Sequence, residues 1–307
     1  VGQFTVKAPP PTPTPIPAAS AGEQVVETTK DVVITEEQVT KASDALNSAL
    51  GIASGSSETV ALVAGTATLD AVTPGKLQTK LTVTGITKES VITGDVKLTV
   101  GNMTVDTKDG VGTGEIQVAK GLKIVGKVSL VPQDGSLDVV FENPVLVVEP
   151  EAPDTAELTG GSSEVTEIGV SFSVGLEDLP DGASLKIEFA KDASAFIPDK
   201  GAVFKLAAGK AIPGGTVDSD DDVAFVVQVT KTNITNSSLG SNTVSMNVSA
   251  KWVRSRLALG KTIVITKIAD DGEVVSGGAS CTVEGDLATC TVIFSAAAGG
   301  FSVFAVI

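Results

Sequence analysis

LKIVGKVSLVPQDGSLDVVF, running from Leu122 to Phe141, decides the fold class. Two apolar runs, Leu122 to Val131 and Leu137 to Phe141, flank the dipeptide Asp134-Gly135. Aspartate-glycine marks a tight turn, because glycine accepts the positive φ such turns need. Strand, turn and strand is the direct reading. Upstream, Leu77 to Val83, Val91 to Val100 and Glu115 to Val118 read as further strands, with a second tight turn at Asp109-Gly110. Turns spaced by about 8–12 residues suit a β-sandwich or barrel rather than βαβ units. Pro144 to Val148 ends this unit, and no strict repeat is visible.

One helix interrupts the strands, at 36–50. Thr35 suits the N-cap, and Gln38 three residues on completes a capping box. Ile34 and Val39 occupy the staple positions, and Gly51 is the C′ stop. Val39, Ala42, Leu46, Ala49 and Leu50 form a narrow, alanine-rich stripe. Such a stripe suits packing against a sheet; the functional alternative is a partner-binding helix.

Beyond the first unit lies EPEAPDTAELTGGSS, Glu149 to Ser163, whose prolines and paired glycines read as an inter-domain linker. Alternation resumes at Val165 to Val174, Leu185 to Phe189, Phe225 to Val229 and Thr243 to Ser249, then again at Thr262 to Ile268. Ala250 to Leu257 reads as one or two helical turns, with Trp252, Val253, Arg256 and Leu257 on one face. Seven or eight short strands over about 140 residues suit an immunoglobulin-like sandwich. Within it, Cys281 to Cys290 is a near-symmetric hairpin about Gly285-Asp286. Counting outward from that turn, the cysteines form a non-hydrogen-bonded pair, where side chains approach most closely. A disulfide is favoured, and with it an oxidising compartment; two buried thiols are the alternative.

The totals exclude several function classes. The 307 residues carry a net charge of -15 and contain no histidine. Such acidity argues against nucleic acid or an anionic membrane as partner. Without histidine there is no Ser-His-Asp or Cys-His catalysis and no His-containing metal site. No glycine-rich loop has phosphate-binding spacing. Paired carboxylates remain available for glycosidase chemistry, but aromatic content is 4%, which removes the usual sugar-stacking platform. The expectation is a protein that is not an enzyme. Leu287 to Ile307 is long enough for a membrane span, but its glycines and hydroxyls fit two buried strands better. No membrane span is therefore expected.

The first seventeen residues have another character. In Val1 to Ala8, Phe4, Val6 and Ala8 alternate with Gln3, Thr5 and Lys7, as in a half-buried strand. Pro9 to Pro17 follows as PPPTPTPIP, a polyproline II spacer that reaches roughly 28 Å at about 3.1 Å per residue. A lone strand is not stable by itself and must pair with something, and the spacer makes a neighbouring copy as suitable as the chain's own body. Ala18 to Thr29 reads as a polar continuation of that spacer. Val1 without a Met reads as the start of a mature chain whose leader has been removed, or as a chosen boundary.

Residues 244–307 carry a resemblance. Val244 to Trp252, Ile263 to Ile268, Asp270-Asp271-Gly272 and Gly300-Phe301-Ser302-Val303-Phe304-Ala305-Val306 resemble the PGF-pre-PGF domain of secreted and surface proteins of archaea and some bacteria. In that family a Trp precedes a strand pair and a GFSxFA-type strand closes the fold. Glu273 stands where the family usually has a second Trp, and the cysteine hairpin is additional. The resemblance implies a β-sandwich at a cell surface and no enzymatic activity. The layout of strand plus spacer is also similar to subunits of donor-strand filaments such as archaeal bundling pili.

Two further motifs bear on ligands. Asp218, Asp220 and Asp222 match the first three ligand positions of a calcium loop, but Val223 and Val229 stand where an EF-hand needs Gly and Glu. That leaves a candidate surface Ca²⁺ site, or a solvated acidic turn; no other cofactor is indicated. Asn102, Asn233, Asn236 and Asn247 begin glycosylation acceptor triplets.

Together these readings give an all-β chain of two tandem β-sandwich-like domains with one short helix and an extended N-terminal strand on a Pro-rich spacer. The divisions are 1–22 donor-type strand and linker, 23–150 β domain with the helix, 151–163 linker, and 164–307 immunoglobulin-like sandwich. The expected function is a secreted, cell-surface structural protein, a disulfide-bonded, pilus-like glycoprotein. It self-assembles with copies of itself into a filament or layer by donor strand complementation through Phe4, Val6 and Ala8. The alternative is a monomeric adhesin or carbohydrate-binding module.

Overall fold

The fold is that of a computed structural model, which describes residues 23–53, 56–57, 59–158, 160–192, 195–196, 222–268, 273–294 and 303–307. It is all-β and sandwich-like, with antiparallel pairing throughout the described strands. The hairpin of β9 (Leu122–Gln133) and β10 (Ser136–Val148) is its spine. The Asp134-Gly135 turn joins them as expected, with Gly135 at φ 77°.

β9 runs along one edge of β10 for nearly its whole length. The other edge is divided. Its first half pairs with β5 (Lys76–Thr84), from Ser136 opposite Thr82 to Glu142 opposite Lys76. Its second half pairs with β11 (Ile168–Leu176), from Val145 opposite Gly175 to Val148 opposite Phe172. The fork lies at a register shift between Glu142 and Val145. Pro144 has no N–H for the ladder, and Asn143 takes φ 46°, the left-handed region that asparagine tolerates. The Asn143 N–H donates to Gly75 O at 2.8 Å, and the Gly75 N–H to Glu177 O at 3.3 Å, so the turn before β5 fills the fork.

On one side of the fork the sheet curls. Its order is β4 (Gly65–Thr73), β5, β10, β9, β8 (Val111–Ala119), β7 (Met103–Lys108) and β6 (Asp95–Val100). Gly114 makes room for the curl's contents. A Cβ there would lie 2.6 Å from Val128 Cγ2 and 3.1 Å from Phe141 Cε1. β2 (Asp31–Ile34) pairs with β4 at one end, and its Val33 O would lie 2.6 Å from a Cβ at Gly101, just past β6. The two ends of the curl thus meet.

Helix α1 (Glu36–Ala49) plugs the opening, with Ala42, Ser43, Leu46 and Ala49 buried. Its capping box is formed as read, with Thr35 N donating to Gln38 Oε1 at 3.2 Å. The apolar stripe lies against the sheet; Val39 and Leu50 are half-buried. Two polar residues add to the packing. Ser43 Oγ accepts at 3.0 Å from Leu62 N on the short strand β3 (Ala61–Leu62), and Asn47 holds both the N–H and the C=O of Val60. The strand read from Val91 begins only at Asp95, because the preceding loop caps the helix: Thr93 donates through N and Oγ1 to Ala49 O.

On the other side of the fork the same sheet continues through β11, β14 (Leu239–Ser249), β18 (Leu287–Phe294) and β17 (Ser280–Glu284). A second sheet faces it. Its order is β1 (Gln24–Glu27), β12 (Ser184–Ala190), β13 (Phe225–Thr232), β19 (Val303–Val306), β15 (Val264–Ile268) and β16 (Val274–Gly278). Phe304 on β19 meets Phe172 at 5.1 Å and Phe294 at 6.2 Å between ring centroids, which locates the core between the sheets. Leu287 to Ile307, the uncharged tract, contains β18 and β19, and no described helix is long and apolar enough to cross a membrane.

Pairing also joins parts that the sequence divides. Residues 149–167 return the chain from β10 to its own neighbour β11, so the expected 151–163 linker connects two adjacent strands of one sheet. Gln24–Glu27, read as spacer, is a strand on β12, with Val26 opposite Leu185. Its four residues are too few for alternation to identify, and only the neighbour's edge gives them their form.

Candidate functional surfaces

The described residues present three regions with functional bearing: the slot of β19, a charged cluster under α2 (Ala250–Ala258), and a polar groove on the outer face of β11, β14 and β18.

β13 and β15 do not pair with each other; both pair with β19. Val306 lies opposite Phe225 on one side and Ile265 on the other, and Phe304 opposite Val227 and Lys267. Ile307 continues the ladder, exchanging two backbone hydrogen bonds with Val264 at 2.9 and 3.0 Å. Phe304 and Val306 face the main core, fully buried. Ala305 and Ile307 face the other way, into a smaller cluster with Val223, Val226, Val264 and Val274. Five residues therefore join two half-sheets and fill apolar space on both faces. The donor residues Phe4, Val6 and Ala8 lie outside the described residues.

Under α2, charges converge. Arg256 donates to Asp222 Oδ1 at 3.1 Å and to Glu164 Oε2 at 3.0 Å, and lies 5.9 Å from the ring centre of Trp252. Lys261 Nζ reaches Asp222 Oδ2 at 2.6 Å, and Ser255 Oγ donates to Glu164 Oε2 at 2.6 Å. These bonds, first that from Ser255 and then that from Arg256, hold the Glu164 carboxyl below the ordinary glutamate range. The cluster pins three chain segments together. It also gives Asp222, one of the three calcium candidates, a structural occupation: both carboxylate oxygens face cations, and the side chain is 5% exposed. Asp218 and Asp220 lie outside the described residues. Trp252 is wholly buried and offers no stacking surface. Leu257, read onto its face, is 52% exposed instead, in the last turn of the helix.

The groove, of about 780 Å³, is lined by Pro150, Asp154, Ser171, Ser245, Asn247 and Thr289 among others. Ser245 and Thr291 share a 2.9 Å hydroxyl contact, and Thr289 Oγ1 donates to Asn247 Oδ1 at 2.9 Å. Asn247 is half-buried here. Asn102 Nδ2 donates to Gln117 O at 2.8 Å while its Oδ1 is buried, a poor setting for a glycan. Asn233 and Asn236 are exposed, the first with its amide on Gly182 O at 3.2 Å.

Cys281 and Cys290 lie directly opposite, Cα atoms 4.0 Å apart, and form a disulfide. It staples β17, an exposed strand at the sheet's end, to β18. The site that sequence reasoning missed is the slot itself. Phe304 and Val306 were legible as a strand, but its place between β13 and β15 depends on pairings hundreds of atoms apart along the chain. Family models, curated proteins and solved structures were all compared with this chain, and none matches it.

Proposed function

We propose that this protein is a non-enzymatic extracellular structural subunit, in which residues 1–8 of one copy pair as a strand with the next. The run Val1 to Pro17 carries the reading: a strand-like alternation followed by a proline-rich spacer sequence, ahead of β1 in the chain. Head-to-tail contact of this kind is heterologous and generates an open fibre or layer. The all-antiparallel fold supports it, since such sheets accept a further strand without a crossover. The disulfide and the resemblance of residues 244–307 to a surface-protein domain support an exterior location. Glycans at the exposed Asn233 and Asn236 are consistent with it. Negative-stain electron microscopy of the full chain beside one lacking residues 1–17 tests the reading. Filaments or sheets are expected from the full chain alone; equal assembly of both overturns it.

The groove favours a second reading, a monomeric adhesin or carbohydrate-binding module. Its hydroxyl and amide groups suit saccharide hydroxyls, although no described aromatic lines it. Saccharide titration monitored at the Asn247 and Thr289 resonances would support that reading.

A further inference from the structure

Resting on the assembly reading, we propose that the slot between β13 and β15 accepts residues 3–7 of a neighbouring copy, and that β19 keeps this slot closed until exchange. The slot has a definite specification. It takes an extended segment, antiparallel to both flanks, with a phenyl ring and a β-branched residue facing the main core two positions apart. Between them it takes a small side chain on the opposite face, where Ala305 is fully buried. Gln3-Phe4-Thr5-Val6-Lys7 meets that specification. Phe4 takes the place of Phe304 against Phe172 and Phe294, Val6 that of Val306, and Thr5 that of Ala305.

The exposed strand β17 is a poorer acceptor. Ser280, Thr282, Val283 and Glu284 are all exposed there, whereas the positions of Phe304, Ala305 and Val306 in the slot are fully buried. In the slot, by contrast, the ring of Phe4 would lie against Phe172 and Phe294, where that of Phe304 lies now. The flanks explain why the closed state is the resting one. Gln3 and Lys7 replace Val303 and Ile307, so the donor gives up apolar contact that β19 makes. β19 also competes from within its own chain, at the effective concentration that tethering confers. Exchange is therefore favoured by high subunit concentration and by weakening β19. The spacer, roughly 28 Å long at about 3.1 Å per residue, lets the donor leave its own body for another.

Ala305 and Thr266 lie directly opposite in the ladder. Hydrogen-bonded neighbours of this kind are about 5.5 Å apart, within reach of a disulfide. The full-length variant Ala305→Cys/Thr266→Cys, once oxidised, locks β19 in place. It is compared by negative-stain microscopy with the unaltered chain and with the chain lacking residues 1–17, each with and without reductant. Filaments from the unaltered chain, none from the oxidised lock and recovery on reduction are the expected results. If the locked chain assembles as well as the unaltered one while the chain lacking 1–17 does not, the slot is refuted and the assembly reading stands. If the chain lacking 1–17 assembles, both fall. Should the locked variant not fold, Thr5→Cys/Thr266→Cys replaces it. An interchain disulfide ladder on a non-reducing gel, lost on adding Phe4→Asp, is expected. A monomeric internal link, or filaments without a ladder, overturns the proposal.

Discussion

The curled half of the molecule and the sandwich half are closed by different means. The curl is built from hairpins in sequence order: β6 to β10 are each paired with the next. A helix and a short strand then plug it. In the sandwich, β14 pairs with β11 and β18, and β19 separates β13 from β15. Its closure depends on segments far apart in the chain, which carry a larger loop-closure cost before any contact rewards them. The difference teaches where the molecule can be opened. The curl comes apart only with its hairpins, whereas the sandwich has one short strand whose removal divides a sheet.

The largest expected effect strikes that strand. Phe304→Ala removes a fully buried ring tilted against two others, and should cost about 3–5 kcal/mol in a urea titration. An effect below about 1 kcal/mol would break the comparison, because a surface position behaves that way. Cys281→Ser/Cys290→Ser frees the β17–β18 hairpin and should cost about 2–3 kcal/mol in the same titration.

Gly114→Ala probes the other half. Its Cβ would meet Val128 and Phe141 inside van der Waals distance, so a loss of about 1–3 kcal/mol is expected, with the curl's amides most affected in hydrogen exchange. Loss confined to the sandwich would contradict the assignment. The smallest effect is on pH dependence. Folding lowers the Glu164 pKa, so its contribution is complete above the unfolded value of about 4.3 and is lost as pH falls through the folded value. Glu164→Gln should therefore flatten the acid limb of a stability–pH profile while leaving its slope near neutrality unchanged; an unchanged acid limb would remove Glu164 from the account.

The same contrast governs what could be read from the chain alone. The curl's hairpins were legible because period-2 alternation and the Asp-Gly turns act over a few residues. So were α1, through Thr35 and Gln38, and the cysteine hairpin, through its symmetry about Gly285-Asp286. The divided edge of β10 was not legible. Pro144 to Val148 looked like the end of a unit, yet Pro144 marks a fork beyond which Val145–Val148 carry the sheet on to a new partner, β11. The part played by Asp222 was also hidden. Alternating aspartates suggested calcium, while its cations, Arg256 and Lys261, stand 34 and 39 residues away. Local pattern reveals elements; it does not reveal which distant edge each one meets.

The central claim is that residues 303–307 hold together a sheet that would otherwise be two. Hydrogen exchange on the Phe304→Ala chain, resolved by residue, tests it most directly. Amides of β13 and β15 are expected to lose protection first, while those of β7 to β9 keep theirs. Equal loss in both halves, or retained protection in β13 and β15, would contradict it.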